Sequence, residues 1–293
     1  QGWANRGINC YVSRNLLEWD YSGLVFRNSS VLLPDRGPYV LERPKVLFNA
    51  RTRLFVMWLH VDSVDYALRY AGVATSRSPL GPFEWLHALR PNGYDSFDLQ
   101  LWREPEGDEA YLLRDTNAHR YTMVSRLTPN FTDVVDEPVV STLRGPCEGM
   151  ALFKDVPADG AYYLICSYAT WYYPNAMQLH RKLSKLDDAA TEGEYLGDIG
   201  DGFVSRLSYN SQPTFIFPMV DSKTGDLTPV YMGDNWNANG PGGVGNASYL
   251  WLPLHRATAA ESTKGRWWPG ARPIPWRLPW RDRWLQQQMA EDV

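Results

Sequence analysis

Four polar side chains, Glu42, Asp98, Glu148 and Gln212, each stand directly ahead of a short apolar run: RPKVLF, LQLW, GMALF and PTFIF. They are spaced 56, 50 and 64 residues apart. Apolar runs this short, bounded by turn-forming residues, read as strands rather than helices. A chain that repeats the same polar-then-apolar signature at near-regular intervals is built from repeated β units, each delivering one functional side chain to a shared centre. That is the pattern of a β-propeller with an axial pocket.

Two further features recur with the first. A strand with an aromatic near its start appears as LFVMWLH, EAYLLRD, AYYLICSYATW and PVYMGDNW, and a strand with a small-polar turn follows as GVATSRSPLGPFEW, YTMVSRLTPNFTDV and MQLHRKLSKLDDAATEGEYLG. An earlier copy of the last kind, NCYVSRNLLEWDYSG, lies ahead of Glu42. Ordered in this way, each unit takes about 50 to 65 residues, close to the length of a propeller blade. Four units are visible. Residues 9–35 supply the outer half of a fifth, whose inner strands would precede Gln1. The expected fold is therefore all-β, a five-bladed propeller with its first blade incomplete in this chain. The last unit ends at YLWLPL. We place the propeller at residues 1–260 and a Trp/Pro/Arg-rich C-terminal extension at 261–293, because the prolines of RWWPGARPIPWRLPWRDRW are incompatible with an ordinary central strand.

Composition narrows the function. A 293-residue chain that is 44% hydrophobic can bury a large core. A net charge of −4, from 29 basic and 33 acidic residues mixed along the chain, argues against a nucleic-acid or anionic-membrane surface. No apolar stretch reaches the roughly 18 residues of a membrane-spanning helix. Thirteen Trp and 17 Tyr suit either of two tasks, filling the gaps between blades or stacking on sugar rings. Three N-x-S/T sequons, at Asn28, Asn130 and Asn246, agree with secretion, and an extracellular monomer is expected. The chain as given carries no signal peptide. Cys10, Cys147 and Cys166 show no zinc or redox spacing. Cys147 and Cys166 flank a predicted strand pair, but sequence does not fix the separation on which a bridge depends.

Three of the four repeated side chains are carboxylic acids, which is the equipment of glycosidic bond cleavage: one acid protonates the leaving oxygen while an opposite group activates water. Glu148 lies in RGPCEGMALF, and its apolar neighbours would raise its pKa and keep it protonated near neutrality. It is the expected acid. Asp98, one unit earlier, is placed to tune that acid or bind a sugar hydroxyl. Glu42, followed by Arg43 and Lys45, is expected to stay ionised and to accept hydrogen bonds from sugar hydroxyls. The alternative for each is a strand cap or a rim ion pair.

The strings VLERPKVLFN, VMWLHVDSVDY, GVATSRSPLGPF, PNGYDSFD, PCEGMALF, YNSQPTF, YMGDNW and YLWLPL together resemble glycoside hydrolase family 43, in particular its subfamily 24 of exo-β-1,3-galactanases. The resemblance spans residues 8–254. It implies an inverting, exo-acting hydrolase that releases galactose from β-1,3-galactan, the backbone of arabinogalactan. Position by position it implies Glu148 as general acid, Asp98 as the modulator of that acid, and Gln212 as the glutamine standing where a base is expected. Glu42, Arg43 and Tyr66 would bind the terminal galactose, and Thr170 or Trp171, in SYATWYYPN, would contact the sugar. Gly149 and Met150 depart from the family, in which the acid is followed by Ala-Pro. A neutral amide is a poor base, so Gln212 orients water unless an imidic tautomer forms. Within the same family, β-xylosidase or α-L-arabinofuranosidase activity is the nearest enzymatic alternative. A non-catalytic carbohydrate-binding propeller is the alternative of a different class.

Little else in the sequence carries chemistry. The five histidines show no ligand spacing and are expected in core or surface roles. HExxH, P-loop and Rossmann patterns are absent. The acidic stretch LDDAATEGEYLGDIGDG lacks the spaced ligands of a calcium loop and reads as a solvated connection. No metal or other cofactor is expected, and the expected partner is an oligo- or polysaccharide.

Overall fold

The structure is a computed structural model that describes residues 4–34, 37–116, 118–136, 140–144, 147–156, 158–191, 193–200, 204–220, 225, 227–263 and 273–279. Its regular structure is β-strand, interrupted only by short 3-10 turns. No helix among the described residues is long and apolar enough to cross a membrane. The chain divides into two compact units, Gln1–Ser141 and Thr142–Val293.

The first unit opens with β1 (Gly7–Val12) and β2 (Asp20–Arg27), an antiparallel pair. This pair is the two-stranded piece expected ahead of Glu42. Four strands then form one meander: β3 (Val40–Asn49), β4 (Leu54–Asp62), β5 (Tyr70–Ser76) and β6 (Glu84–Leu89). The continuous apolar run of β4 suits a strand covered on both faces, and seven of its nine residues are buried. By contrast, no residue of β6 is fully buried, as suits the edge of the sheet. Between β3 and β4 the Asn49 side chain accepts hydrogen bonds from the Thr52 backbone N–H (2.9 Å) and hydroxyl (3.2 Å), closing the turn. A second meander follows with β7 (Leu99–Arg103), β8 (Ala110–Thr116), β9 (Tyr121–Arg126) and β10 (Val140–Arg144). Leu99, Leu101 and Leu112 of this sheet share a core with Val56, Trp58 and Val73 of the first.

In the second unit, β11 (Glu148–Lys154), β12 (Tyr162–Ser167), β13 (Gln178–Lys182) and β14 (Glu194–Asp198) form the third four-stranded meander. A three-stranded sheet of β15 (Gln212–Val220), β16 (Leu227–Asn235) and β17 (Ser248–Pro253) comes next. The core of the unit lies between these sheets, from Ala151, Tyr163 and Leu179 to Ile216, Val230 and Leu252. A short pair, β18 (His255–Arg256) with β19 (Trp276–Arg277), adds to it. Ile274, Trp276 and Leu278 belong to the same core. The buried Arg277 guanidinium donates to the Asp198 carbonyl at 3.2 Å and to that of Glu261. The boundary expected at 260 therefore cuts through a packed hairpin; the prolines around Trp276 confine that pairing to two residues instead of excluding it. Residues 264–272 and 280–293 of the extension lie outside the described residues.

Three of the four repeated signatures share a backbone device. The register of β3 against β4 shifts between Glu42 and Lys45, that of β11 against β12 between Glu148 and Ala151, and that of β15 against β16 between Pro213 and Phe215. Each shift is a β-bulge immediately after the polar side chain, of the kind that re-aims side chains next to functional sites. The residue types supply the cause. Pro44 and Pro213 have no N–H for the ladder, and Gly149 adopts a φ of 61° that glycine tolerates.

Sequons and cysteines come out unevenly. The Asn28 side chain is buried, donating to the Tyr39 carbonyl at 2.6 Å and accepting from the Tyr39 N–H at 3.2 Å, which removes it as a glycan acceptor. Asn130 and Asn246 are exposed. Cys147 and Cys166 form a disulfide, and Cys10 is a free thiol. The tryptophans differ in burial: Trp58 is fully buried with its indole N–H on the Phe131 carbonyl at 2.8 Å, whereas Trp171 is 72% exposed. The stretch considered for calcium holds the Lys182 ammonium, which donates to the Asp188 carbonyl at 2.9 Å and the Thr191 carbonyl at 2.5 Å. Among the described residues no three His, Cys, Asp or Glu side chains converge as a metal set.

Candidate active site

In the first unit the bulge after Glu42 presents its carboxylate beside β4, where His60 is its register partner. Glu42 is half-buried, and both of its oxygens are engaged. Oε1 accepts the Tyr66 hydroxyl at 2.9 Å, and Oε2 lies 3.2 Å from His60 Nδ1. The other ring nitrogen, Nε2, lies 2.8 Å from Asp62 Oδ2. Asp62 is fully buried, and its Oδ1 accepts the backbone N–H groups of Ser63 (2.9 Å) and Leu68 (2.8 Å), which folds the loop that carries Tyr66. Tyr66 itself has a left-handed φ of 56°, and its carbonyl accepts from Arg69 Nε at 3.0 Å.

The electrostatics follow from this chain of contacts. Burial alone would lower the His60 pKa, but hydrogen bonds to Asp62 and Glu42 outweigh it and push the ring up to about 9. At neutral pH His60 is therefore an imidazolium that donates from both nitrogens. Asp62 moves the other way: burial would raise its pKa, and the His60 hydrogen bond and charge hold it below the ordinary carboxylate range. Burial, and then the Glu42 carboxylate, push the Tyr66 phenol well above its usual value, so it donates and does not ionise.

Arg43, at the bulge with a φ of 52°, turns its guanidinium away from the strand and pairs through Nε with Asp98 Oδ1 at 3.0 Å. Asp98 is buried at the start of β7, and its carbonyl receives the Asp115 N–H at 2.8 Å. Asp115 is buried too, which pushes its carboxyl up to about 6 against the pull of its His119 hydrogen bond. Sequence placed Arg43 next to Glu42 as its counter-charge; the bulge redirects Arg43 to Asp98, and the cation paired with Glu42 is His60.

In the second unit, Glu148 opens β11 opposite Ser167 of β12, whose hydroxyl donates to the Glu148 carbonyl at 3.1 Å. The Cys147–Cys166 disulfide ties the two strands one residue away from that pair. Gly149 lies against β15: a Cβ built on it would stand 2.6 Å from Gln212 Cγ and 2.5 Å from the Pro213 carbonyl oxygen. The segment of Glu148 is thereby brought beside Gln212, and only glycine allows this approach. Family resemblance marked Gly149 as a departure; in this chain it is the residue that lets the two strand starts meet.

Gln212 is buried, and its amide is fixed at both ends. The Trp236 indole N–H donates to Oε1 at 2.9 Å, and Nε2 donates to the Trp171 carbonyl at 3.3 Å. An indole can only donate and a peptide carbonyl can only accept, so these partners settle which end of the amide is oxygen. Thr170 fastens its own loop. Its hydroxyl donates to the Tyr173 carbonyl at 2.7 Å and accepts from Asn175, which pins the loop 168–175. Trp171 presents its ring to solvent and its carbonyl to Gln212.

Sequence reasoning missed His60, Asp62 and Trp236. The i, i+2 spacing of His60 and Asp62 on one strand puts both on the same face, a signal that becomes meaningful only with Glu42 opposite. Nothing in the sequence ties Trp236 to Gln212.

No protein-family model matches the sequence, and no curated protein matches it. Solved structures do. A GH43 β-1,3-galactosidase is similar over 95% of this chain, with a TM-score of 0.76 and 25% identity, the match covering 54% of that protein. An exo-β-1,3-galactanase from Clostridium thermocellum is similar over 94% of this chain and 56% of its own, with a TM-score of 0.74 and 29% identity. One from Phanerochaete chrysosporium, solved with β-1,3-galactotriose, is similar over 85% of this chain and 54% of its own, with a TM-score of 0.72 and 28% identity. The chain thus spans about half the length of these three structures.

Proposed function

We propose, from its likeness to the GH43 β-1,3-galactosidases and exo-β-1,3-galactanases, that this chain is an exo-acting, inverting glycoside hydrolase that releases galactose from β-1,3-galactan. The observation that carries the reading is the meeting of the Glu148 segment with an amide held rigidly by two tryptophans. Inverting hydrolysis needs a proton donor for the leaving oxygen and a held water on the opposite face of the sugar. Glu148 donates the proton to the glycosidic oxygen as the bond to the anomeric carbon breaks. Gln212 holds the water that attacks that carbon, and the proton released from the water passes to solvent. With the Trp236 N–H on its carbonyl oxygen, Gln212 is held in the amide form, which orients water better than it deprotonates it.

Glu42 and Tyr66 are offered as the groups that bind hydroxyls of the terminal galactose. Asp98, paired with Arg43, is the modulator of the acid, and Trp171 is a stacking surface for sugar. Thr170 acts through the loop that carries Trp171. The same reading includes membership of subfamily 24, a five-bladed propeller in which β1 and β2 belong to an incomplete blade, secretion, and a monomeric state. Three successive four-stranded meanders and a three-stranded sheet support the propeller.

The test is a time course of 1H NMR spectra on linear β-1,3-galactan. The expected first product is free α-galactose, which then mutarotates. First appearance of β-galactose would indicate retention and remove the water-holding role of Gln212; release of xylose or arabinose from other substrates, with none of galactose, would replace the substrate.

A further inference from the structure

The mechanism above gives His60 no task. His60 is 1% exposed and lies between two carboxylates, one of them fully buried. Removing such groups from water costs several kcal/mol per ion, and a buried ion pair is on average no more stabilising than apolar residues of the same volume. Stability alone does not account for it.

Its geometry is directional. Asp62 is anchored by two backbone N–H groups, so it cannot follow a moving partner. His60 is anchored on Asp62 in turn, with the Phe97 ring 5.9 Å and the Tyr66 ring 6.1 Å from its own. Only the Glu42 end of the series reaches the surface, where the Glu42 side chain is 34% exposed and the His60 and Asp62 side chains are 2% and 0% exposed. An ionised carboxylate offers about four lone-pair sites. His60 and Tyr66 take one on each oxygen, which leaves Glu42 able to accept one further hydrogen bond per oxygen from a pair of neighbouring hydroxyls.

We propose that His60 is the positioning residue for Glu42: anchored on Asp62, its imidazolium holds the carboxylate in the orientation that, with the Tyr66 hydroxyl, receives two adjacent hydroxyls of the terminal sugar. This rests on the function proposed above. Within the first unit the ionisable groups that bear on His60 are Glu42 from β3 and Asp62 from β4, and Tyr66, whose ring lies 6.1 Å away, feels Glu42, Asp62 and Asp98; from β5, the register partner of His60 is the apolar Ala71. Loss of the His60 proton removes the Nδ1 donor or the Nε2 donor, and one end of the clamp releases.

The experiment compares the wild type, His60→Gln and Asp62→Asn on β-1,3-galactobiose from pH 6 to pH 10. We expect His60→Gln to raise KM about tenfold, the scale of one hydrogen bond to a charged group, with kcat within about twofold. In the wild type, kcat/KM should fall above about pH 9. Asp62→Asn keeps the imidazole but removes its anchor, so KM should rise and the alkaline limb should move to lower pH, which general loosening of the fold would not produce. If His60→Gln fails to fold, the limb of Asp62→Asn decides. An active wild type whose KM and limb are unmoved in Asp62→Asn overturns the inference and leaves the proposed function standing. A wild type that releases no galactose overturns both.

Discussion

Gly149 approaches Gln212 so closely that a methyl group on its Cα would stand 2.6 Å from the Gln212 Cγ atom. The residue after the proposed acid and the residue proposed to hold water are therefore in direct contact. Gly149→Ala should be damaging twice over. A left-handed backbone costs a non-glycine residue about 1–2 kcal/mol, and the added carbon also meets the Pro213 carbonyl oxygen at 2.5 Å, which cannot turn aside as a side chain can. We expect a lower melting temperature and a fall in kcat of about tenfold or more, read by thermal melts and steady-state kinetics. Unchanged kcat in Gly149→Ala would show that this contact does not set the geometry of catalysis.

Trp236→Phe keeps the ring and deletes the N–H that fixes the Gln212 carbonyl. Loss of one buried hydrogen bond costs about 1 kcal/mol of stability. The larger effect should be on kcat, about tenfold, because a rotating amide no longer holds water in line. Equal loss in KM and none in kcat would move Gln212 from water to substrate binding.

The disulfide should act mainly on stability. Cys147 and Cys166 are 19 residues apart in sequence, and closing a loop of that size contributes about 3 kcal/mol in the chain-entropy account. Cys147→Ser with Cys166→Ser should lower the midpoint of denaturation accordingly. Because the bridge ties β11 to β12 next to Glu148, activity of the folded double variant should also fall.

Two histidines give opposite pH limbs. Burial holds His180 down at about 4, below its unfolded value of roughly 6.5, and neither ring nitrogen has a hydrogen-bond partner among the described residues. The unfolded chain binds that proton more readily, so the stability tied to a neutral His180 is complete above about pH 6.5 and lost as pH falls toward 4. Its size is on the order of 3 kcal/mol. His60 is raised to about 9, so its contribution is complete below about pH 6.5 and lost as pH rises through 9. Denaturation midpoints across pH should peak near 6.5, and His180→Leu should flatten the acid side alone. An acid limb that persists in His180→Leu assigns it to carboxylates instead.

The strands were legible because their cause is local: the continuous apolar run of β4 appears in the sequence itself. So was the placing of Glu148 and Gln212 at strand starts. The bulges behind Glu42, Glu148 and Gln212 were not, although Pro44, Gly149 and Pro213 mark all three, because a bulge is a property of two paired strands and sequence shows one at a time. The same limit hid the Arg43–Asp98 pair, since adjacency in sequence suggested that Arg43 would serve Glu42. His60 looked like an ordinary core histidine until its register partner was known. The loop bonds of Thr170 were hidden for a related reason: a hydroxyl in a polar loop is as often a fastener for its own turn as a contact for a ligand.

The proposed chemistry depends on one proton from Glu148. Galactose release from linear β-1,3-galactan should be measured for the wild type and for Glu148→Gln, alongside galactan binding by the same two proteins. The account predicts release by the wild type, a loss of more than about 100-fold in the variant, and binding nearly equal in both. Glu148→Gln releasing galactose at the wild-type rate, or a wild type that binds galactan and never cleaves it, would contradict it.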